Sequence, residues 1–228
     1  MSSKINLQTC EYARKSSIFQ DNQLIFFKGA TGVCMTDHER MRRYYNAKRV
    51  MILNYSDLEE FHRTCEAPEH LLRITPNDAT VQRFYCDSLR FVMNYMSAWY
   101  ALKSFIQAQM KNAHFSITAN FEEKYSEQIS ERFARNDFSR FFEACRNTFI
   151  HEGIPFAKIQ INVGQVDMVR IMVDSDELRS SSYFESKGLP YIDGRQSIDF
   201  FSVCKRHYGE FMDFCKWFEE NIEWKRPT

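Results

Sequence analysis

The sequence predicts a mainly α-helical protein, an antiparallel helical bundle with a small β-hairpin and an N-terminal strand. Glycine and proline, which favour turns, occur 7 and 5 times among 228 residues, whereas phenylalanine occurs 21 times. Apolar residues recur at helical spacing over several long stretches, the pattern of amphipathic helices. Because short connections join these stretches, we expect neighbouring helices to run antiparallel.

The N-terminal region differs in pattern from the rest of the chain. Residues 1–36 are interpreted as a mixed cap, and residues 37–228 as the helical bundle. Within the cap, residues 24–27 are an apolar run followed by Gly29 and Gly32, which predicts a strand.

Two long helices are predicted next. The first begins at Thr36 or Asp37 and ends before Pro68. The second covers residues 78–111, which would span about 50 Å at 1.5 Å per residue. Its apolar arc is wide, so we expect a central helix buried on more than one side. A second subunit facing this helix would make the protein a homodimer.

The second half of the chain contains three further helices and a hairpin. A short helix carries Tyr125, Ile129 and Phe133, and a longer one covers residues 136–151 and stops at Gly153 and Pro155. The longer helix has an apolar stripe, made by Phe138, Phe142, Cys145 and Phe149.

Alternating apolar residues over 157–174 predict the β-hairpin. Residues 180–194 are polar and rich in turn formers, so they are interpreted as a loop. The last helix is predicted over residues 196–224.

Composition limits the classes of function. Lysine plus arginine and aspartate plus glutamate each total 30, so the net charge is zero and any nucleic-acid contact must use a local patch. Neither a signal peptide nor a membrane span is apparent, and we expect a cytoplasmic protein without cofactor. Seven scattered cysteines without a Cys-x-x-Cys pair argue against a disulfide framework. They are Cys10, Cys34, Cys65, Cys86, Cys145, Cys204 and Cys215.

One short motif at the end of the helix over 136–151 combines groups that handle phosphodiesters. Arg146 is followed directly by Asn147 and, after three more residues, by His151. Arginine presents a planar fork to phosphate oxygens, and histidine transfers protons near neutral pH. Helical geometry places Asn147 and His151 roughly opposite the apolar stripe, with Arg146 on its flank. The structural alternative is that Arg146 pairs with Glu143 and His151 caps the helix.

The segment from Arg146 to His151 resembles the Arg-polar-x-x-x-His signature of the HEPN superfamily. These proteins are helical bundles, often dimeric, in toxin–antitoxin, abortive-infection and other antiviral systems. The resemblance extends through the Gly153 turn to Pro155 and covers about ten residues.

The resemblance implies metal-independent cleavage of RNA in toxin or antiphage defence. His151 would be the general acid or base, and Arg146 would bind the scissile phosphate. Asn147 would orient His151 or donate to a phosphate oxygen. Two such sets would meet across a dimer axis, and an antitoxin or regulatory protein would be a partner. The main rival is a non-catalytic HEPN-like dimer that binds RNA or a protein.

A basic cluster near the start of the first helix is a candidate RNA-binding surface. It contains Arg40, Arg42, Arg43, Lys48 and Arg49, interrupted by Tyr44 and Tyr45. Arginine on phosphate and tyrosine stacked on bases is a known way to hold single-stranded RNA. The alternative is a solvated helix face beside a core stripe.

Two weaker candidates complete the set. Glu59 and His62 have the Glu-x-x-His spacing of half a di-iron site, but no second copy is found, so a metal-binding bundle is the weaker rival. Lys205, Arg206 and His207 on the last helix are interpreted as an exposed face or a second phosphate contact.

Overall fold

The computed structural model describes residues 36–65, 78–111, 120–153, 157–162, 168–182 and 184–222. The chain divides into two units, Met1–Thr36 and Asp37–Thr228, and the helices and strands below belong to the second. The strand predicted at residues 24–27 lies outside the described residues.

The described part of the second unit contains seven α-helices, one π-helical segment and three strands. In chain order they are α1 (Asp37–Cys65), α2 (Asp78–Lys111), α3 (Phe121–Ile129), the π-helical segment (Ser130–Ala134), α4 (Asp137–His151), β1 (Ala157–Asn162), β2 (Met168–Asp174), α5 (Ser175–Ser180), α6 (Glu185–Ile192), β3 (Ser197–Asp199) and α7 (Phe200–Asn221). The predicted mainly helical class and the antiparallel hairpin are therefore confirmed.

The long helices enclose an aromatic core. Helix α1 packs along α2, and α4 packs against α6, α2 and α7. At the centre, Trp99 and Phe142 meet edge to face with ring centroids 5.1 Å apart, and the ring of His207 stacks on Phe142 at 3.6 Å. The core thus joins the helix that carries the Arg146 motif to α2 and α7.

Helix α2 is buried on one wide face. Val92, Trp99 and Leu102 are among its buried residues, whereas Ser97 and Ala101 on the other side are exposed. The expectation that this helix is buried on more than one side is therefore wrong for the single chain. Contacts from α1, α4 and α7 on one wide face are sufficient to bury the apolar residues of this helix.

A three-stranded antiparallel sheet flanks the bundle. Strand β2 lies between β1 and β3, with Ile159 opposite Ile171 and Val173 opposite Ile198. The strand β3 differs from the prediction, which places residues 197–199 in the last helix. Asp199 ends that strand and caps α7, its carboxylate accepting from the backbone nitrogen of Phe201 at 3.0 Å.

The prediction of a loop over residues 180–194 is wrong, because most of this segment forms the short helix α6. Its ends are held by Phe184 and Ile192, which are fully buried. Gly188 does not break the helix: a Cβ there would lie 2.8 Å from the Phe184 ring, so only glycine permits this packing. Tertiary burial therefore outweighs the turn-forming composition.

The described residues include no membrane span and no disulfide. None of their helices combines the length and apolar character needed to cross a bilayer. Their five cysteines are free thiols, and all except Cys86 are buried. Cys10 and Cys34 lie outside the described ranges.

Candidate functional site

Helix α4 places the motif at the end opposite its N-terminal cap. The side-chain oxygen of Asn136 accepts from the backbone nitrogens of Phe138 and Ser139, at 2.9 and 3.2 Å. The predicted apolar stripe is confirmed as buried: Phe138, Phe142, Cys145 and Phe149 are each at most 4% exposed. With that face in the core, Arg146 and Asn147 are half-buried and His151 is exposed.

Arg146 is held in place by an aromatic ring and by its neighbour. Its guanidinium carbon lies 3.6 Å from the centroid of the Tyr100 ring on α2, a cation–π contact. Its Nη1 donates to Oδ1 of Asn147 at 2.9 Å, while its buried Nε has no hydrogen-bond partner among the described residues. The structure therefore brings two of the three motif residues together.

The alternative partner for Arg146 is occupied by a different cation. Glu143 accepts from the Nζ of Lys103 at 2.6 Å. Arg146 is thus not committed to Glu143, and the guanidinium remains available for an anion.

His151 is exposed in the last turn of α4, one turn beyond Asn147, so both side chains lie on the same face of the helix. The oxygen of the Asn147 amide is bonded to Arg146, which leaves its amino group to donate. The predicted stop at Gly153 is confirmed by its φ of +86°, a conformation that favours glycine. Pro155 lies outside the described residues.

Glu152 is a neighbour of His151 that the sequence analysis missed. Its carboxylate accepts from the backbone nitrogen and the hydroxyl of Ser182, at 3.2 and 2.7 Å. Hydrogen bonds from Ser181 and Ser182 hold the pKa of Glu152 below its usual range, and the charge of His151 lowers it further. The sequence signal for Glu152 was its position next to His151. The serines that position its carboxylate follow the hairpin in the chain, so no local pattern indicates them.

The basic cluster on α1 is only partly a surface. Arg40 is 4% exposed and pairs with Asp37 at 3.0 Å, and Lys48 pairs with Glu219 of α7 at 2.6 Å. These two assignments to RNA binding are corrected, because both cations are held by internal carboxylates. Tyr44 is fully buried and has no face for a base.

Three of the predicted RNA-binding residues remain exposed, namely Arg42, Arg43 and Arg49, together with Tyr45. These arginines lie on α1, whereas Arg146, Asn147 and His151 lie on α4.

The three basic residues predicted on the last helix are partly exposed and partly buried. Lys205 and Arg206 are exposed, and Arg206 pairs with Glu210 at 2.7 Å. His207 is 2% exposed, so its assignment to an exposed face or a phosphate contact is wrong.

The metal-binding rival gains no support from the structure. The ring of His62 stacks on Phe201 at 3.8 Å. Across the described ranges, no three His, Cys, Asp or Glu side chains come together in a group that could hold a metal ion.

Comparisons with protein-family models, with curated proteins and with solved structures found no match to this chain. The resemblance to the HEPN superfamily therefore depends on the residues from Arg146 to His151.

Proposed function

We propose that this protein is an HEPN-like, metal-independent endoribonuclease whose site is formed by Arg146, Asn147 and His151. The observation that carries the proposal is the arrangement at the end of α4. Arg146 lies on Tyr100 and is hydrogen-bonded to Asn147, and His151 is exposed one turn further on. An arginine positioned in advance and an accessible imidazole are the groups that this reaction needs.

The reaction would use the RNA as its own nucleophile. His151 accepts the proton of a ribose 2′-hydroxyl, and the 2′-oxygen attacks the adjacent phosphorus as the bond to the 5′-oxygen breaks. The leaving 5′-oxygen takes up a proton from solvent water, and His151 returns its own proton to the solvent, so the products are a 2′,3′-cyclic phosphate and a 5′-hydroxyl. Arg146, with the Asn147 amino group, stabilises the charge on the phosphate oxygens.

The biological role that accompanies this chemistry is toxin or antiphage-type defence. A homodimer would bring two motifs to one RNA, and an antitoxin or regulatory protein would hold the activity in check. The exposed Arg42, Arg43 and Arg49 would contact RNA away from the cleaved bond.

Cleavage of a labelled single-stranded RNA in the presence of EDTA tests the proposal. Arg146→Ala and His151→Ala are each expected to reduce the rate by about a hundredfold or more, because each removes a group that acts in the transition state. Mass spectrometry of the fragments should find 2′,3′-cyclic phosphate ends.

The chain offers matched controls for both variants. Arg195 also lies on a tyrosine ring, 4.6 Å from the centroid of Tyr191, and His38 is an exposed histidine on α1. Arg195→Ala and His38→Ala should cut RNA at the normal rate. Equal cutting by all four variants, or RNA that stays intact with the unaltered protein, would contradict the proposal.

The second candidate is a non-catalytic HEPN-like dimeric module that binds RNA or a protein. In this module the exposed apolar side chains would contribute to the partner surface; they include Ile150 within the motif, 41% exposed, and Leu53 on α1, 53% exposed. Intact RNA together with partner binding that survives in Arg146→Ala and His151→Ala would favour this module.

A further inference from the structure

A cavity of about 630 Å³ opens between α2, α3, the π-helical segment, α4 and α7. Its size falls within the range of small-molecule sites in proteins. Neither Arg146 nor His151 is among its described lining residues. The cavity is therefore separate from the site proposed for RNA cleavage.

The π-helical segment helps to shape the cavity. The backbone nitrogen of Arg135 donates to the carbonyl of Ser130 at 2.9 Å, a bond that encloses one residue more than in an α-helix. The hydroxyl of Ser139 in the first turn of α4 donates to the carbonyl of Arg132 at 2.7 Å. The bonds connect the segment to the first turn of α4, and Phe133 and Ala134 of the segment line the space.

The inner wall of the cavity is aromatic. Phe133 meets Phe214 edge to face, with ring centroids 5.1 Å apart and planes at 89°. Phe211, Ile106 and Ile129 extend the apolar surface. Such walls favour a flat aromatic body, which stacks on one ring and meets the edges of others.

Polar groups in the lining add a preference for negative charge. Lys103 is neutralised by Glu143, at 2.6 Å, whereas Arg140 has a 3.4 Å pair with the exposed Asp137 that is worth little in water. Arg140 is thus a cation that can turn towards a ligand. Tyr125 also lines the cavity, and its buried hydroxyl has no hydrogen-bond partner in the described part of the chain. Burial raises the pKa of Tyr125 to about 12, so this hydroxyl stays a neutral donor.

We infer that this cavity binds a small organic anion with a flat aromatic body. The rings of Phe133, Phe211 and Phe214 enclose the body, Arg140 pairs with the anionic group, and Tyr125 donates to a polar atom of the ligand.

Titration of the full-length protein with 8-anilinonaphthalene-1-sulfonate, a fluorescent aromatic sulfonate, tests this inference. We expect a rise in fluorescence that saturates at one dye per chain. Ala134→Trp, which places an indole in the cavity, should abolish the rise. Ala101→Trp, on the exposed face of α2, should leave it unchanged.

Arg140→Gln should weaken dye binding by about tenfold, because it removes one charged partner. Arg90→Gln is the matched control, since Arg90 also pairs with an aspartate three residues earlier, at 3.2 Å, but lies outside the cavity. Naphthalene-1-sulfonate should displace the dye at lower concentration than the uncharged 1-naphthol.

Binding that survives unchanged in Ala134→Trp, or equal displacement by the two naphthalenes, would overturn the inference. If circular dichroism finds Ala134→Trp unfolded, the Arg140→Gln and Arg90→Gln pair decides: equal affinities overturn the inference. RNA cleavage does not enter these measurements, so the two proposals fail separately.

Discussion

His207 is a histidine that the fold keeps uncharged inside an aromatic core. Its Nδ1 is 2.8 Å from the hydroxyl of Tyr95, and its Nε2 has no hydrogen-bond partner in the described residues. Burial lowers the pKa of His207 well below its usual range, and the positive charge of Lys103 lowers it further. In the unfolded chain the same imidazole has a pKa of about 6.5.

This difference predicts a stability that declines in weak acid. Below a pH of about 6.5 the unfolded state binds a proton that the folded state does not. The free energy of unfolding therefore decreases as the pH decreases. Between pH 7.5 and 5.0 the loss due to His207 should be at most about 2 kcal/mol. Urea unfolding at the two pH values measures it.

His207→Phe keeps a ring against Phe142 and removes the titrating group. Its loss of stability over this pH range should therefore be smaller than that of the unaltered protein by the same amount. His38→Gln is the control, because His38 is exposed. Equal pH dependence in His207→Phe and the unaltered protein would show that other groups cause the decline.

The spacing of the motif predicts on which side of α4 Arg146 lies, but not which residues it contacts. The pattern Arg-Asn-x-x-x-His predicted that these side chains lie away from the stripe of α4, and helical geometry is sufficient for that. The contact with Tyr100 depends on how α2 packs against α4, so it could not be read from the motif.

At the scale of the element, α4 depends on its cap to present the motif. Asn136 closes the first turn through two backbone nitrogens, so its loss leaves these donors without their partner. Asn136→Ala should lower the free energy of unfolding by about 1 kcal/mol, and Asn136→Asp should retain most of it. Chemical denaturation measures both.

Ser126 provides the comparison for this prediction. It lies inside α3 and is exposed, and its hydroxyl donates to the carbonyl of Glu122, so Ser126→Ala removes no cap. An Asn136→Ala variant as stable as Ser126→Ala would contradict the importance of the cap.

The element boundaries show where local signals are sufficient. Helix α2 covers the predicted residues 78–111, because its apolar period is long and uninterrupted. Helix α7 begins at Phe200 instead of residue 196, because pairing with β2 draws residues 197–199 into a strand. Such pairing joins segments that are distant in sequence, so a local sequence pattern does not predict it.

At the scale of the whole molecule, one carboxylate ties the first described helix to the last. Glu219 of α7 accepts from the hydroxyl of Tyr44 at 2.9 Å and from the Nζ of Lys48 at 2.6 Å. Burial raises the pKa of Tyr44 far above its usual range, so the phenol remains a neutral donor. The same contacts take Tyr44 and Lys48 away from RNA.

Removal of this carboxylate should lower the free energy of unfolding more than a typical substitution of an exposed residue does. Glu219→Ala removes the carboxylate that accepts from a buried hydroxyl and a largely buried ammonium, so we expect a loss of about 2–4 kcal/mol in the free energy of unfolding. Glu220→Ala, at the exposed neighbour, should change it by less than about 0.5 kcal/mol. Similar losses in both variants would contradict this role for Glu219.

The sequence by itself determined the helical class, the two longest helices, the hairpin and the residues that α4 buries, because each depends on a period set by local geometry. Only the tertiary structure decided which polar groups are available. It buried Arg40 and His207, paired Lys48 with Glu219, and laid Arg146 on Tyr100. It also folded residues 185–192 into a helix and opened the cavity beside the π-helical segment. Burial and pairing are set by neighbours far away in the chain, and a local period carries no information about them.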